Sequence, residues 1–365
     1  MRIGIMSMQR IINYGSFLQA YALKKTIESL GHEVEFVDYH IGNPIVNELN
    51  DGDDTSSLLS KAFNVVFSKK YREKRKSEII QNESYGIYYN KFKSEWLPLL
   101  GVTEKKNYNP NIDMLVIGSD EVFNCTQSNP DVGYSPELFG FNSNANTIIS
   151  YAASFGSTTL QKLTEYHKRN EIASFLLSFE KISVRDKNSY IIVKELTGIE
   201  PTMNVDPVLL YDFEKEIPSD VDLKNYIIVY AYSGRINDEE AKAIQEFAHK
   251  NNKKTLSIGV RQSFTDEYRC VDPFKMLAYF KNADYVVTDT FHGTVFSIKY
   301  QVPFVTLIRD SNSNKLSDLL NKFNLGYRSV SIDDIELVLN QELATSDISA
   351  CLEKSRTEAI EYLNV

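Results

Sequence analysis

Short apolar runs alternate with helix-length segments along most of the chain. An apolar run at 3–6 is followed by a helical stretch at 16–30 and by a second apolar run at 33–39. This spacing is typical of a β-strand, a crossover helix and a parallel β-strand. The same rhythm starts again at 226–232 and continues to Ile308. The pattern therefore predicts parallel sheets that are covered by helices.

The length of the chain favours more than one core. Its 365 residues, 42% of them hydrophobic, suggest two domains. A break at 198–207 separates two α/β series, so we expect an N-terminal lobe at 1–205 and a C-terminal lobe at 206–345. We also expect a helical insertion at about 45–110 and a last helix at 346–365 that crosses back to the first lobe. The predicted fold class is α/β, with two doubly wound parallel-sheet lobes that face each other across a cleft.

Charge and cysteine content exclude several classes of protein. The formal net charge of -9 offers no broad attraction to a phosphate backbone, so we expect no nucleic-acid partner. Cys125, Cys270 and Cys351 are scattered and form no CxxC pair. They indicate neither a disulfide framework nor a thiolate zinc site, and reduced thiols fit a cytoplasmic location.

One segment has the composition of a membrane-surface helix. Residues 58–67 are mostly apolar, and Lys69 to Lys76 (KKYREKRK) follow with six basic residues and one Glu. A basic amphipathic helix of this kind can lie on anionic lipid, which predicts peripheral contact with the inner face of the membrane. The alternative is a solvated helix that packs its apolar stripe on its own domain.

Polar residues follow four of the predicted strands, and ligands of open parallel sheets bind at such strand ends. They are Asn13 to Gln19, Gly118 to Glu121, Arg185 with Asp186, and the cluster from Asp289 to Thr294. If these ends converge, Arg185 and His292 can hold an anion, while Asp120 or Glu121 takes a proton.

Each of these residues also has a purely structural interpretation. In this alternative Arg185 pairs with Asp186 or another neighbouring carboxylate at the surface, and Asp120 caps the turn after Gly118. Asn13 and Gly15 suit turn chemistry, and Gln19 suits a helix face. Asp206 and Asp289 are equally compatible with caps at strand ends.

Several familiar motifs are missing from the sequence. It contains no GxGxxG after the first strand, no GxxxxGK[ST], no GxSxG and no HExxH. The usual dinucleotide, Walker-type, hydrolase-elbow and zinc sites are therefore not indicated, and no metal or resident cofactor is expected.

Six ordered stretches resemble a known family, the polysaccharide pyruvyl transferases. They are NYGSFLQAYALKKTIESLGHEVEFVDY (13–39), DMLVIGSDEVFN (113–124), SYAASFG (150–156), SVRDKNS (183–189), VDPVLL (205–210) and ADYVVTDTFHGTVFSIKYQVPFV (283–305). The resemblance implies a fold similar to two-lobed GT-B glycosyltransferases. It also implies phosphoenolpyruvate as co-substrate and a carbohydrate acceptor, free or lipid-linked, that receives pyruvate as a ketal.

The resemblance also implies roles for individual residues. The implied donor-binding residues are His292, Arg185, Phe291, Thr290, Gly293 and Thr294. Thr290 stands where some members of the family carry an arginine. The implied acceptor side is the first lobe, with Asn13, Tyr14, Gly15, Gln19 and Ser119.

The residue types suit ketal formation, which requires both a general acid and a general base. We predict His292 as acid or phosphate ligand and Asp120 or Glu121 as base. Two other functions stay open at this point: a GT-B glycosyltransferase that uses a sugar nucleotide, and a catalytically inactive glycan-binding protein of the same fold.

Overall fold

The structure is a computed structural model that describes residues 1–46, 83–309, 313–331 and 334–364. Its first lobe contains a six-stranded parallel sheet in the order β2-β1-β3-β4-β5-β6. The strands are β1 (Arg2–Met6), β2 (Glu33–Phe36), β3 (Met114–Asp120), β4 (Thr147–Ala153), β5 (Ser183–Val184) and β6 (Thr202–Met203).

The second lobe contains a five-stranded parallel sheet in the order β11-β10-β7-β8-β9. Its strands are β7 (Tyr226–Tyr230), β8 (Lys254–Ile258), β9 (Glu267–Arg269), β10 (Tyr285–Thr288) and β11 (Phe304–Thr306). Ile227, Ile228 and Val229 of the central strand β7 are almost fully buried, because helices cover both faces of the sheet. The predicted fold class, two parallel α/β sheets in a GT-B-like arrangement, is confirmed.

Helices connect the strands of both sheets. They are α1 (Tyr14–Ser29), α2 (Leu160–Glu165), α3 (Arg169–Leu176), α4 (Lys187–Thr197), α5 (Asp238–Lys250), α6 (Pro273–Lys281), α7 (Phe291–Tyr300), α8 (Ser313–Lys322), α9 (Ile335–Leu339) and α10 (Thr345–Leu363). Several begin at a polar cap: Asn13 Oδ1 accepts from the backbone N of Gly15 at 2.7 Å, and Thr290 Oγ1 accepts from that of Gly293 at 2.9 Å.

The described part of the expected insertion is helical at 83–100 and packs on α1 through aromatic side chains. Tyr14 stacks on Trp96 at 5.7 Å between ring centroids and meets Tyr88 edge-on at 5.1 Å. This cluster fixes the insertion next to the start of α1. The apolar and basic segments at 58–67 and 69–76 lie outside the described residues.

The two lobes contact each other through both ends of the chain. Phe17 and Tyr21 of α1 pack on Phe274 of α6, with ring centroids 6.0 and 4.9 Å away. At the other end, Tyr362 Oη of α10 donates to the carbonyl of Ser150 in β4 at 2.8 Å. No helix among the described residues is both long enough and apolar enough to cross a bilayer.

Strand β3 is longer than the sequence pattern predicts. The apolar run ends at Ile117, but parallel pairing with β4 continues as far as Asp120, which lies opposite Ala153. The polar residues 118–120 therefore belong to the sheet itself rather than to a loop, and this fixes the position of the Asp120 carboxylate.

Candidate active site

The candidate site lies where the strand order of each sheet reverses. In the first sheet β1 stands between β2 and β3, so the connections after β1 and β3 leave in opposite directions. In the second sheet the same reversal occurs between β7 and β10. A crevice forms beyond the carboxyl ends of the strands at such a point. The two crevices face each other.

A cleft of about 270 Å³ occupies this position and is lined by both lobes. The charged, aromatic and polar residues that line it include Asn13, Ser16, Asp120, Glu121 and Arg185 from the first lobe, and Tyr232, Phe291, His292 and Lys315 from the second. The predicted strand ends therefore converge on one space, with the anion-binding candidates and both candidate bases around it.

Arg185 is held between two carboxylates. Its side chain is 2% exposed; Nη1 donates to Asp206 Oδ2 at 3.0 Å and Nη2 to Asp120 Oδ1 at 3.2 Å. The guanidinium carbon also lies 4.4 Å from the centre of the Phe291 ring. Burial opposes its charge, but the two carboxylates outweigh burial and raise the pKa of Arg185. Arg185 is therefore a buried, oriented cation and not a surface ion pair.

Asp206 connects Arg185 to His292. Its side chain is fully buried, and Oδ1 accepts from the backbone N of Val208 at 3.0 Å. Oδ2, which accepts from Arg185, also lies 3.4 Å from His292 Nε2. This last pair is close enough for ionic attraction but does not have hydrogen-bond geometry. Asp206 is thus both a cap and a member of the site.

Two buried nitrogens of cleft-lining residues have no hydrogen-bond partner within the described part of the chain. They are Nε of Arg185 and Nε2 of His292. Buried polar atoms in proteins are almost always hydrogen-bonded, so a pair of unpartnered nitrogens in one cleft indicates a place for a ligand with acceptor oxygens.

Asp120 is an ionised carboxylate fixed from two sides. Ser16 Oγ donates to its Oδ2 at 2.7 Å, and Arg185 donates to its Oδ1. Burial alone would raise its pKa, but Arg185, His292 and Ser16 outweigh that effect and lower the pKa of Asp120 to about 2. Its backbone φ of 84° is uncommon for a residue with a side chain.

Glu121 forms an ion pair across the cleft. Lys315 of α8 donates to its Oε1, and Asn124 Nδ2 donates to its Oε2 at 2.7 Å. Burial opposes ionisation here as well, but Lys315 prevails and lowers the pKa of Glu121. The Lys315–Glu121 pair therefore ties the second lobe to the first at the edge of the cleft.

Comparison with known proteins now identifies the family. The sequence profile of the polysaccharide pyruvyl transferases matches residues 13–311 of the chain. The chain belongs to this family. A search of curated protein sequences gives no significant match.

Solved structures with a similar overall course of the chain are distant. The S. aureus MnaA–UDP co-structure is 10% identical, with a TM-score of 0.48, and the match covers 100% of this chain and 90% of that chain. UDP-GlcNAc 2-epimerase from Neisseria meningitidis bound to UDP-GlcNAc is 9% identical, with a TM-score of 0.45, and the match covers 100% of this chain and 93% of that chain. The spinosyn rhamnosyltransferase SpnG is 10% identical, with a TM-score of 0.43, and the match covers 100% of this chain and 95% of that chain. Nothing about function follows from likenesses this distant.

Several residues that the pyruvyl transferase resemblance implies for the site do not line the cleft. Tyr14 is buried in the aromatic cluster and donates to the carbonyl of Val271 at 2.6 Å. Gln19 donates to Ser7 Oγ at 3.0 Å inside the first lobe, and Ser119 Oγ donates to the carbonyl of Ala152 at 3.3 Å. In this structure Gln19 and Ser119 stabilise the first lobe, Tyr14 links it to the second lobe, and only Asn13 of the acceptor set lines the cleft.

The donor set divides in a similar way. Arg185, Phe291 and His292 line the cleft. Thr290 caps α7, and Thr294 Oγ1 shares a hydrogen bond of 3.0 Å with Thr306 Oγ1. Gly293 is required by packing, since a β-carbon there would lie 2.1 Å from Thr288 Oγ1. These residues shape the start of the helix that presents His292.

Three residues to which the sequence analysis gave no binding or catalytic role, Ser16, Asp206 and Lys315, complete the candidate site. Ser16 directly follows the Asn13–Gly15 turn, and Asp206 lies in the VDPVLL stretch, so both belong to sequence stretches that indicate the site. Lys315 is outside every motif stretch, and only the tertiary structure brings it to Glu121. Among the described residues, no group of three His, Cys, Asp or Glu side chains is arranged to hold a metal ion.

Proposed function

We propose that this protein transfers the pyruvyl group of phosphoenolpyruvate to a pair of sugar hydroxyls, forming a ketal during the synthesis of a cell-surface polysaccharide. One observation carries the proposal. Arg185 and His292 line the cleft between the lobes, and each has a buried nitrogen without a hydrogen-bond partner among the described residues, in a chain of the polysaccharide pyruvyl transferase family. A small acid with a carboxylate and a phosphate has the acceptor oxygens that such nitrogens require.

The cations around the cleft already face carboxylates, and in our proposal the donor shares these cations. Arg185 is already balanced by Asp120 and Asp206, so its charge alone does not neutralise the donor. In our proposal Arg185 Nε binds the carboxylate, while a protonated His292 and Lys315 face the phosphate. Lys315 then replaces the cation that Thr290 does not supply.

The proposed reaction needs one proton at the methylene carbon of the donor, and at C2 two new C–O bonds and the loss of one. His292 gives a proton to the methylene carbon, and a sugar hydroxyl adds to C2. The C2–phosphate bond then breaks, and a second hydroxyl adds to the same carbon. The two acceptor hydroxyls release one proton each. One of these protons restores the protonated form of His292, and the other leaves with inorganic phosphate. Asp206 stabilises the protonated imidazole from 3.4 Å.

We assign the general base to Glu121. A carboxylate whose pKa is about 2, as for Asp120, is a weak proton acceptor near neutral pH. Asp120 instead orients an acceptor hydroxyl and holds Arg185. Glu121 lies next to it on the wall of the same cleft.

The test is release of inorganic phosphate from phosphoenolpyruvate across a panel of free and lipid-linked sugar acceptors. We expect at least one acceptor to support release, and His292→Ala to reduce that release by about 10²-fold or more. His249→Ala, which changes an exposed histidine of α5, is the matched control. Normal turnover in His292→Ala would remove this residue from the reaction.

A thermal-shift experiment separates the proposal from the two alternative functions. Phosphoenolpyruvate is expected to raise the melting temperature, and nucleotide sugars are not. A rise with a nucleotide sugar alone would favour a glycosyltransferase. Glycan binding without phosphate release from any donor would favour an inactive binding protein.

We also propose a cytoplasmic location with peripheral contact to anionic lipid through Lys69–Lys76. Exchange of the six basic residues of this segment for Gln is expected to weaken binding to vesicles that contain anionic lipid. Unchanged binding would contradict the membrane contact and would not affect the proposed reaction.

A further inference from the structure

A second cavity, larger than the cleft, opens in the first lobe beside it. Its volume is about 620 Å³, within the usual range for small-molecule sites. We call it the lateral cavity; the residues used below are Arg10, Tyr39, Tyr85, Tyr89, Lys93 and Lys106. Met8, Ile11 and Asn129 line both the lateral cavity and the catalytic cleft, so the two spaces adjoin.

One wall of the lateral cavity is an aromatic stripe. Tyr88 and Phe92 lie on the face of the 83–100 segment that packs on Tyr14. Tyr85, Tyr89 and Lys93 are spaced four residues apart on another face, and all three line the cavity. The side chains of Tyr85 and Tyr89 are 52% and 36% exposed. Rings that are fixed by a packed helix offer apolar area with little loss of side-chain entropy, which suits the C–H faces of sugar rings.

Within the described part of the chain, one of the three cations that line the cavity is paired with a carboxylate and two are not. Arg10 is paired with Asp38, whose Oδ2 also accepts from the backbone N of Asn107 at 2.8 Å. Neither Lys93 nor Lys106 forms an ion pair with a carboxylate of the described residues. The Lys93 ammonium lies 4.4 Å from the centre of the Tyr89 ring.

The two lysines and Arg10 are close enough to repel one another. Burial lowers the pKa of Lys106, and Arg10 and Lys93 lower it further, while Asp38 opposes them. Glu104 and Asp131 also line the cavity, but neither forms an ion pair with Lys93 or Lys106 within the described residues. The cavity therefore carries two lysines without a paired carboxylate in the part of the chain that the structure describes, and Lys93 lies over the Tyr89 ring.

We propose that the lateral cavity binds the part of the acceptor that extends beyond the pyruvylated sugar, and that this part carries an anionic group on Lys93 and Lys106. The inference rests on the proposed function, because it takes the adjoining cleft as the place of the reacting sugar. An anion between the lysines relieves their repulsion, and the tyrosine rings hold a neighbouring sugar. Two kinds of sugar carry such a group: a glycosyl phosphate and a uronic acid.

Direct binding tests this inference without any turnover. Calorimetric titration without phosphoenolpyruvate uses a panel of disaccharides, each as neutral methyl glycoside, as 1-phosphate and with a uronic acid at the reducing end. We expect wild-type protein to bind one anionic form about tenfold more tightly than the neutral form, as for charge-assisted contacts. The phosphate and uronate arms show which anion is preferred.

Four variants locate the preference. Lys93→Gln/Lys106→Gln is expected to abolish it, whereas Lys242→Gln, an exposed lysine of α5, retains it. Tyr89→Ala weakens binding of neutral and anionic forms alike. His292→Ala also retains the preference, because the anion site lies outside the donor site.

Two results would overturn the inference: wild-type protein binds no anionic disaccharide better than its neutral form, or the preference persists in Lys93→Gln/Lys106→Gln. Failure of phosphate release with every acceptor would count against the proposed reaction instead. Because the titration contains no donor, the two failures are distinguishable.

Discussion

The backbone of Gly15 lies directly against the imidazole ring of His292. A β-carbon at Gly15 would be 2.1 Å from Nδ1 and 2.2 Å from Cγ of that ring, closer than any non-bonded contact allows. Gly15 belongs to the first lobe and His292 to the second, so the position of the candidate acid depends on contact between the lobes. Glycine at position 15 is thus a requirement of the site and not only of the turn.

Gly15→Ala is therefore expected to displace His292 and to lower kcat for phosphate release by about 10²-fold, the scale of a misplaced catalytic group. Gly86→Ala is the matched control, since a β-carbon there meets no atom within 4 Å. Phosphate release by the two variants with the same acceptor provides the comparison. Equal activities would show that His292 has room to move without loss of function.

Asp206→Asn is expected to lower the free energy of unfolding by about 3 kcal/mol, because it removes one of the two charges that balance buried Arg185. Asparagine keeps the size and an oxygen for the Val208 cap, so the loss reports on charge. Urea unfolding at neutral pH measures the effect, with exposed Asp220→Asn as the control. An unchanged midpoint would mean that Asp120 alone suffices to balance Arg185.

Asp120 makes stability depend on pH in a defined window. Its pKa in the folded protein, about 2, is below the ordinary value of 3.8, so the ionised form stabilises the fold above about pH 4. This contribution, about 2 kcal/mol at neutral pH, is lost as the pH falls from about 4 to 2. The difference between wild type and Asp120→Asn in urea unfolding should therefore shrink over that range. A constant difference from pH 7 to pH 3 would contradict the lowered pKa.

The Glu121–Lys315 pair is suited to a double-mutant cycle. Glu121→Gln and Lys315→Gln are expected to be non-additive in the free energy of unfolding by about 1 kcal/mol, since the two partly buried groups contact each other directly. Lys242 and Glu246 of α5, which are largely exposed, form the control pair, for which we expect near-additive changes. Additive changes at Glu121 and Lys315 would show that this tie between the lobes is not energetically important.

Much of the architecture can be predicted from the sequence, because the spacing of apolar residues and the polar residues that follow each strand are local properties of the chain. The apolar runs identify the central strands, and topology then brings Arg185, Asp120 and His292 to one cleft although they are far apart in the chain. Other features depend on tertiary packing. The Tyr14 hydroxyl suits an acceptor site, yet its ring is drawn into an aromatic cluster with Tyr88 and Trp96.

The balance of charge around Arg185 is also a tertiary property. The sequence offers Asp186 as its nearest carboxylate, but that side chain caps α4 by accepting from the backbone N of Ser189 at 2.8 Å. The true partners, Asp120 and Asp206, come from other strand ends. A consequence is that Arg185→Ala leaves two buried carboxylates uncompensated, so loss of activity in that variant would not by itself identify a donor ligand.

The return of α10 to the first sheet has a mechanical consequence. Tyr362 anchors the helix on Ser150, and Arg356 Nε donates to the carbonyl of Leu210 at 2.9 Å, near the first connection between the lobes. The chain thus passes between the lobes twice, once near Leu210 and once through α10. Rotation about the line through both crossings would separate the backbone of Gly15 from the ring of His292.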